Sequence, residues 1–173
     1  MTEPAQFRLE RLTEEHHTSY FDCGVKSLDD WLASHALDEQ DQGRSCTHVW
    51  ADAGGCVVAY FTLLPTTIVE SDSGIMSILR PARFPRTSDL CGVLLGKLAL
   101  DQSLRRQGRG NDLLAEAFVT AYEAVQLIGG VHLVTDPRDE VRGFYLQFGF
   151  VELEGTKRMF LPMREFAEGG TPL

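Results

Sequence analysis

The segment "CGVLLGKLALDQSLRRQGRGNDLLAEAF", Cys91 to Phe118, constrains the fold more than any other. Its opening is apolar, short and broken by Lys97, which predicts a buried strand and not a membrane span. After the Arg/Gly stretch, Leu113, Leu114, Ala117, Phe118, Ala121 and Val125 recur at helical spacing. A strand therefore runs through a glycine turn into a helix. Amide hydrogens at a helix start have no intrahelical acceptor, and the helix dipole favours negative charge there. Gly108 and Gly110 let a ligand approach the backbone, while Arg105, Arg106 and Arg109 supply charge for a polyanion such as a pyrophosphate. The competing reading is a tight turn with solvated arginines. A P-loop is excluded because Gly-Lys-Ser/Thr is absent. A dinucleotide fingerprint is excluded because Leu113 stands where its third glycine would fall.

Around this centre the chain reads as alternating elements. "FRLERL" predicts a first strand, and "SLDDWLASHALDEQ" a helix with Ser27 as its cap. "CTHVWAD" and "CVVAYFTLL" predict a hairpin turning at Gly54-Gly55. Residues 65–90, with Pro65, Pro81 and Pro85, predict an irregular connection. Gly129-Gly130 ends the long helix, and "VHLVT" gives another strand. "PRDEVRGFYLQF" predicts a helix stopped at Gly149, and "FVEL" with "RMFLPM" an antiparallel pair. This order implies an α/β (α+β) fold: a mixed central sheet of about six to seven strands with helices on both faces. One domain over residues 1–165 is expected, with residues 166–173 as a frayed tail.

Two stretches carry a family resemblance. "RRQGRG", Arg105 to Gly110, resembles the Arg/Gln-x-x-Gly-x-Gly/Ala signature of the GNAT N-acetyltransferases. "FYLQFGF", Phe144 to Phe150, resembles their second signature, a Tyr followed by Phe-Gly-Phe. The resemblance covers nearly the whole chain. It implies acetyl-coenzyme A as cosubstrate, with its pyrophosphate on Arg105, Arg106, Gln107, Gly108, Arg109, Gly110 and Asn111. It maps the pantetheine arm onto the strand at Leu98 and Leu100, and makes Tyr145 the proton donor to the departing thiolate. Helical spacing permits that role, with Tyr145 facing the cofactor cleft while Phe144 packs inward, and it also permits Tyr145 as a core aromatic. Two positions depart from the pattern. Arg138 stands where many members carry an Asn that reaches the pantetheine, and Asn111 where an apolar residue is commoner. Glu70, Asp72, Asp89 and His132 are available as a general base, and the sequence does not rank them.

"FDCGVKSLDDWLASHAL" further resembles the opening of the TacT-type toxins within that family. That likeness implies transfer to the amino group of aminoacyl-tRNA, a ribbon-helix-helix antitoxin as partner, and a homodimer. Binding tRNA needs positive surface. Arg80, Arg83 and Arg86 are the candidate substrate contacts, or else a solvated loop. The formal net charge of −9 opposes a general nucleic-acid coat and suits a cationic amine. The same chemistry on a small-molecule or protein amine, and an acyl-coenzyme A-binding protein without turnover, are the competing functions. Cys23, Cys46, Cys56 and Cys91 lack zinc-ligand spacing, and His16-His17 has no nearby partner, so no metal is expected. Buried free thiols and the absence of a secretory signal in "MTEPAQFRLERL" place the expected location in the cytoplasm, with no membrane contact.

Overall fold

The computed structural model describes residues 7–68, 89–152 and 157–163. Arg80, Arg83 and Arg86, the acidic Glu70 and Asp72, and the expected tail all lie outside the described residues. Strands β1 (Arg8–Arg11), β2 (Cys46–Ala51), β3 (Val57–Ile68), β4 (Leu90–Leu100), β5 (His132–Thr135), β6 (Val151–Glu152) and β7 (Met159–Pro162) form one mixed sheet in the order β1-β2-β3-β4-β5-β7-β6. β4 and β5 are parallel, whereas β1-β2, β2-β3, β5-β7 and β6-β7 are antiparallel. Helices α1 (Lys26–Ser34), α2 (Ala36–Asp41), α3 (Arg109–Ile128) and α4 (Arg142–Gln147) accompany it.

The chain divides into two compact units, Met1–Leu64 with Gly96–Ala117, and Pro65–Leu95 with Phe118–Leu173. In the first, Leu12, Phe21, Leu32, Val49, Val57, Tyr60 and Ala99 form a buried cluster. Tyr60 holds it together. Its ring meets Phe21 edge-on at 5.4 Å and stacks on Trp31 at 6.1 Å, while its hydroxyl donates to the Leu28 carbonyl at 2.9 Å. Each fully buried side chain of this kind contributes about 1.5–3 kcal/mol. In the second unit Ile68, Leu90, Val134 and Phe160 are the buried set. β5 is buried at all four positions, as a parallel strand covered on both faces requires.

Four local readings are corrected. The predicted helix 27–40 breaks at His35, whose φ of −130° leaves the helical region, so α1 and α2 are separate. Ser27 is not the cap. Val25 holds that place without a side-chain bond, and Ser27 lies inside α1. β3 runs on through Pro65 to Ile68, so residues 65–68 belong to a strand and not to the irregular connection. The stretch from Pro137 begins as a short 3₁₀ turn, Asp139–Val141, before α4. Elsewhere the pattern held: Gly129 adopts φ +85° and its amide closes onto the Val125 carbonyl at 2.8 Å, ending α3.

Candidate active site

β4 carries the site's first half. Its pairing with β5 runs from Gly92↔His132 to Leu95↔Thr135 and stops there, although β4 continues to Leu100. Residues 96–100 thus have no described partner strand on the β5 side. Gly96 is exposed, Leu98 and Leu100 are half-buried, and the intervening Ala99 packs into the first unit's core. Lys97, on the opposite side of the pleat from Leu98, sits over the Trp31 ring at 4.3 Å, and burial lowers its pKa.

The chain then enters the Arg/Gly turn. Arg106 adopts φ +60°, the only left-handed non-glycine residue among the described ones, and Gly108 adopts φ +74°. Arg105 is extended (φ −68°, ψ 156°) and Arg106 left-handed, so the chain reverses sharply between them. Nothing lies within 4 Å of where a Cβ on Gly108 would stand, so the turn is open there. Arg106, Gln107, Gly108 and Asn111 are exposed, and Arg109 and Gly110 are half-buried. Arg109 reaches Asp112 at 3.5 Å and lies 6.0 Å above the Phe7 ring. Arg105 differs from the rest: its guanidinium donates to the Cys23 carbonyl. α3 is held at its first half by Trp50, whose indole N–H donates to Glu116.

Tyr145 lies in the second unit on α4 and is 6% exposed. Its ring meets Phe150 edge-on at 5.3 Å and Phe144 at 5.2 Å. The expected packing is reversed, since Tyr145 is the buried side chain of α4 and Phe144 is only half-buried. Burial pushes the Tyr145 phenol up to about 12, and a hydrogen bond with Thr135 opposes that shift. Thr135 in turn donates to the Leu95 carbonyl at 3.2 Å, at the last paired position of β4 and β5. Thr135 was not legible as a functional residue, because nothing in the sequence marks its partner.

Cys23 is buried, Cys46 and Cys56 are half-buried and Cys91 is exposed, so Cys91 departs from the buried-thiol expectation. Burial, with Asp29 nearby, raises the Cys23 thiol to about 11, which keeps it protonated and unreactive. His132 is 2% exposed, with its Nδ1 unpartnered and its pKa lowered by burial to about 4. A sealed imidazole is poorly placed as a base for an incoming amine. Asp89 is exposed at the start of β4. Among the described residues no cluster of His, Cys, Asp and Glu could hold a metal. No helix among them is long and apolar enough to cross a membrane.

Comparison with known proteins decides the family. No family model matches the chain. The chain is 31% identical over 143 residues to a tRNA-acetylating toxin of Mycobacterium tuberculosis (strain ATCC 25618 / H37Rv), covering 81% of each. This protein belongs to the GNAT N-acetyltransferases of the TacT toxin type. The acetyltransferase shares its fold with AtaT in complex with acetyl-methionyl-tRNAfMet, at a TM-score of 0.83, 23% identity, and coverage of 94% and 98% of the two chains. It also matches an AtaT Tyr-to-Phe mutant bound to the C-terminus of the antitoxin AtaR and acetyl-CoA (TM-score 0.76, 22% identity, 94% and 96% covered). As a member of this family the acetyltransferase draws its acetyl group from acetyl-coenzyme A. Its residues fit such a carrier: an open, positively charged turn suits a diphosphate, and a strand segment with no partner on its β5 side among the described residues suits an amide-bearing arm.

Proposed function

We propose that this acetyltransferase acetylates the amino group of aminoacyl-tRNA and is the toxin of a toxin–antitoxin pair. The relative that is 31% identical over 81% of both chains carries the proposal. When bound, the carrier supplies an acetyl thioester. Arg106, Gln107, Gly108, Arg109, Gly110 and Asn111 hold its diphosphate, with Arg105 at the same turn, and the backbone of Leu98 and Leu100 pairs with its arm. Tyr145 keeps a proton at its phenol oxygen, delivers it to the thiolate that the transfer releases, and is reprotonated from solvent. The amine nitrogen forms the new bond to the acetyl carbon as the carbon–sulfur bond breaks, and the amine's surplus proton leaves to solvent. An aminoacyl amine is less basic than a lysine side chain, so a fraction is neutral near pH 7 without a dedicated base.

Arg80, Arg83 and Arg86 are the proposed tRNA contacts. A ribbon-helix-helix antitoxin, a homodimer, a single domain over 1–165 with a tail from 166, and a cytoplasmic location complete the proposal. The net charge of −9 supports a second reading, in which the acceptor is a cationic small molecule or a protein amine. Incubating the protein with labelled acetyl-coenzyme A and either charged tRNA or a panel of small amines separates the two. Label on the aminoacyl group is expected; label on the small amines alone would overturn the tRNA reading.

A further inference from the structure

The "FDCG" motif marked a resemblance at the sequence level but received no physical task there. In the structure it is bonded to the segment Asp101–Arg105 that leads into the Arg/Gly turn. The Asp22 amide donates to Asp101 Oδ2 at 3.0 Å, and the Asp22 carbonyl accepts from the Gln102 amide at 2.9 Å. Arg105 donates its guanidinium to the Cys23 carbonyl. The loop is itself stiffened: the Gly24 amide donates to Asp22 Oδ1 at 2.8 Å, and the Cys23 amide to Asp29 Oδ1 on α1 at 2.9 Å. Gly24 adopts φ +75°, and a Cβ there would stand 3.4 Å from Arg105 Nη2 and from Gln102 Cδ. On the turn side, Asp101 Oδ1 accepts from the Ser103 amide at 2.9 Å and from its hydroxyl at 2.7 Å. Gln107 Nε2 donates to the Ser103 carbonyl at 2.9 Å, which carries the linkage to the residue before Gly108.

A binding turn that places a non-glycine residue at φ +60° must be held by its surroundings, since that conformation costs about 1–2 kcal/mol. We infer that the Asp22–Gly24 loop is a latch that keeps the turn in its anion-binding shape, with Asp22, Asp101 and Arg105 as positioning residues. Arg105 therefore acts on the loop, and the ionic contacts to the carrier fall to Arg106 and Arg109. The latch also ties the turn to α1 through Asp29, so the carrier site and the first helix are one bonded assembly within the first unit. This inference rests on the reading that the turn binds a diphosphate.

Two measurements test it on the full chain. The first is calorimetric binding of free coenzyme A to the wild type and to five variants: Asp22→Ala, which loosens the loop by removing the acceptor of the Gly24 amide, Asp101→Asn, which weakens the acceptor of the Asp22 amide, their double variant, Arg105→Gln and Arg106→Gln. Each latch variant is expected to weaken binding about tenfold, the scale of one positioned hydrogen bond, and the double variant no more than the worse single. Arg106→Gln should flatten the salt dependence of binding, whereas Arg105→Gln should leave it as in the wild type. The second is hydrogen exchange of amides 103–110 without ligand, which the latch variants should speed while melting temperature and exchange on β2 hold. Wild-type affinity with unchanged exchange in Asp22→Ala and Asp101→Asn overturns the latch and spares the carrier site. Additive losses, or a flattened salt dependence in Arg105→Gln, overturn it also. A wild type that takes up no coenzyme A removes the carrier reading, and the latch's role in binding with it.

Discussion

The Arg/Gly turn and the buried Tyr145 side chain solve opposite problems by opposite means. The turn is exposed, charged and held by a web of hydrogen bonds to distant backbone. Tyr145 is 6% exposed, uncharged and held by edge-on aromatic contacts. A group that recognises a diphosphate must stay wet enough to keep its own charge solvated before the ligand arrives, so packing cannot position it. A group that keeps a proton for a thiolate gains from dryness, because burial penalises its ionised form. The proposed chemistry therefore needs recognition and proton storage to sit in different dielectric surroundings, and the chain places them in different compact units.

The contrast breaks most sharply at Tyr145. Tyr145→Phe keeps the ring packing and removes the proton, so kcat should fall by about 10²–10⁴ with coenzyme A affinity unchanged. Titration sharpens the same point. With the phenol raised to about 12, Tyr145 keeps its proton across neutral and moderately alkaline pH, so kcat should show no alkaline limb until near that value. A limb near the ordinary phenol value of about 10 would mean that the phenol is wet.

Acid exposes the cost of dryness. His132 is neutral in the fold, with a folded pKa of about 4 against 6.5 for the free group. A depressed folded value means that the unfolded chain binds the extra proton first. Stability is therefore intact above about pH 6.5 and is lost as pH falls toward 4, by about 3 kcal/mol at the lower end. His132→Gln should flatten that part of the stability–pH curve measured by urea unfolding.

Smaller effects separate the wet side. Gly108→Ala meets no neighbour and strains only the backbone, so it should raise KM for acetyl-coenzyme A about five- to tenfold with kcat unchanged, the equivalent of about 1–1.4 kcal/mol. Thr135→Val removes the bond to Tyr145 and should lower kcat about threefold to tenfold, the worth of one hydrogen bond. A change in KM instead would place Thr135 in binding.

Legibility in the sequence followed the range of the interaction. β4, the turn and α3 were readable because alternation, glycine and helical spacing are local signals. The break at His35 was not, because no proline or glycine marks it. Pro65 argued against a strand, yet β3 passes through it. Tyr145 was readable by its setting in "FYLQFGF", while its burial was not, because a helix as short as α4 shows too little periodicity to assign an inner face. The bonds from Asp22 to Asp101 and from Cys23 to Arg105 join residues far apart in the chain, and no short window displays them.

The stretch of β4 from Gly96 to Leu100, which has no partner on its β5 side among the described residues, carries a liability as well as a use. Strand backbone open along one edge is a template on which a second polypeptide can deposit, and such edges seed self-association. The cellular pool of the acyl carrier would then serve as a chaperone of sorts, hiding that template whenever it is occupied. Starved of its thioester, the protein should lose solubility before it loses its fold.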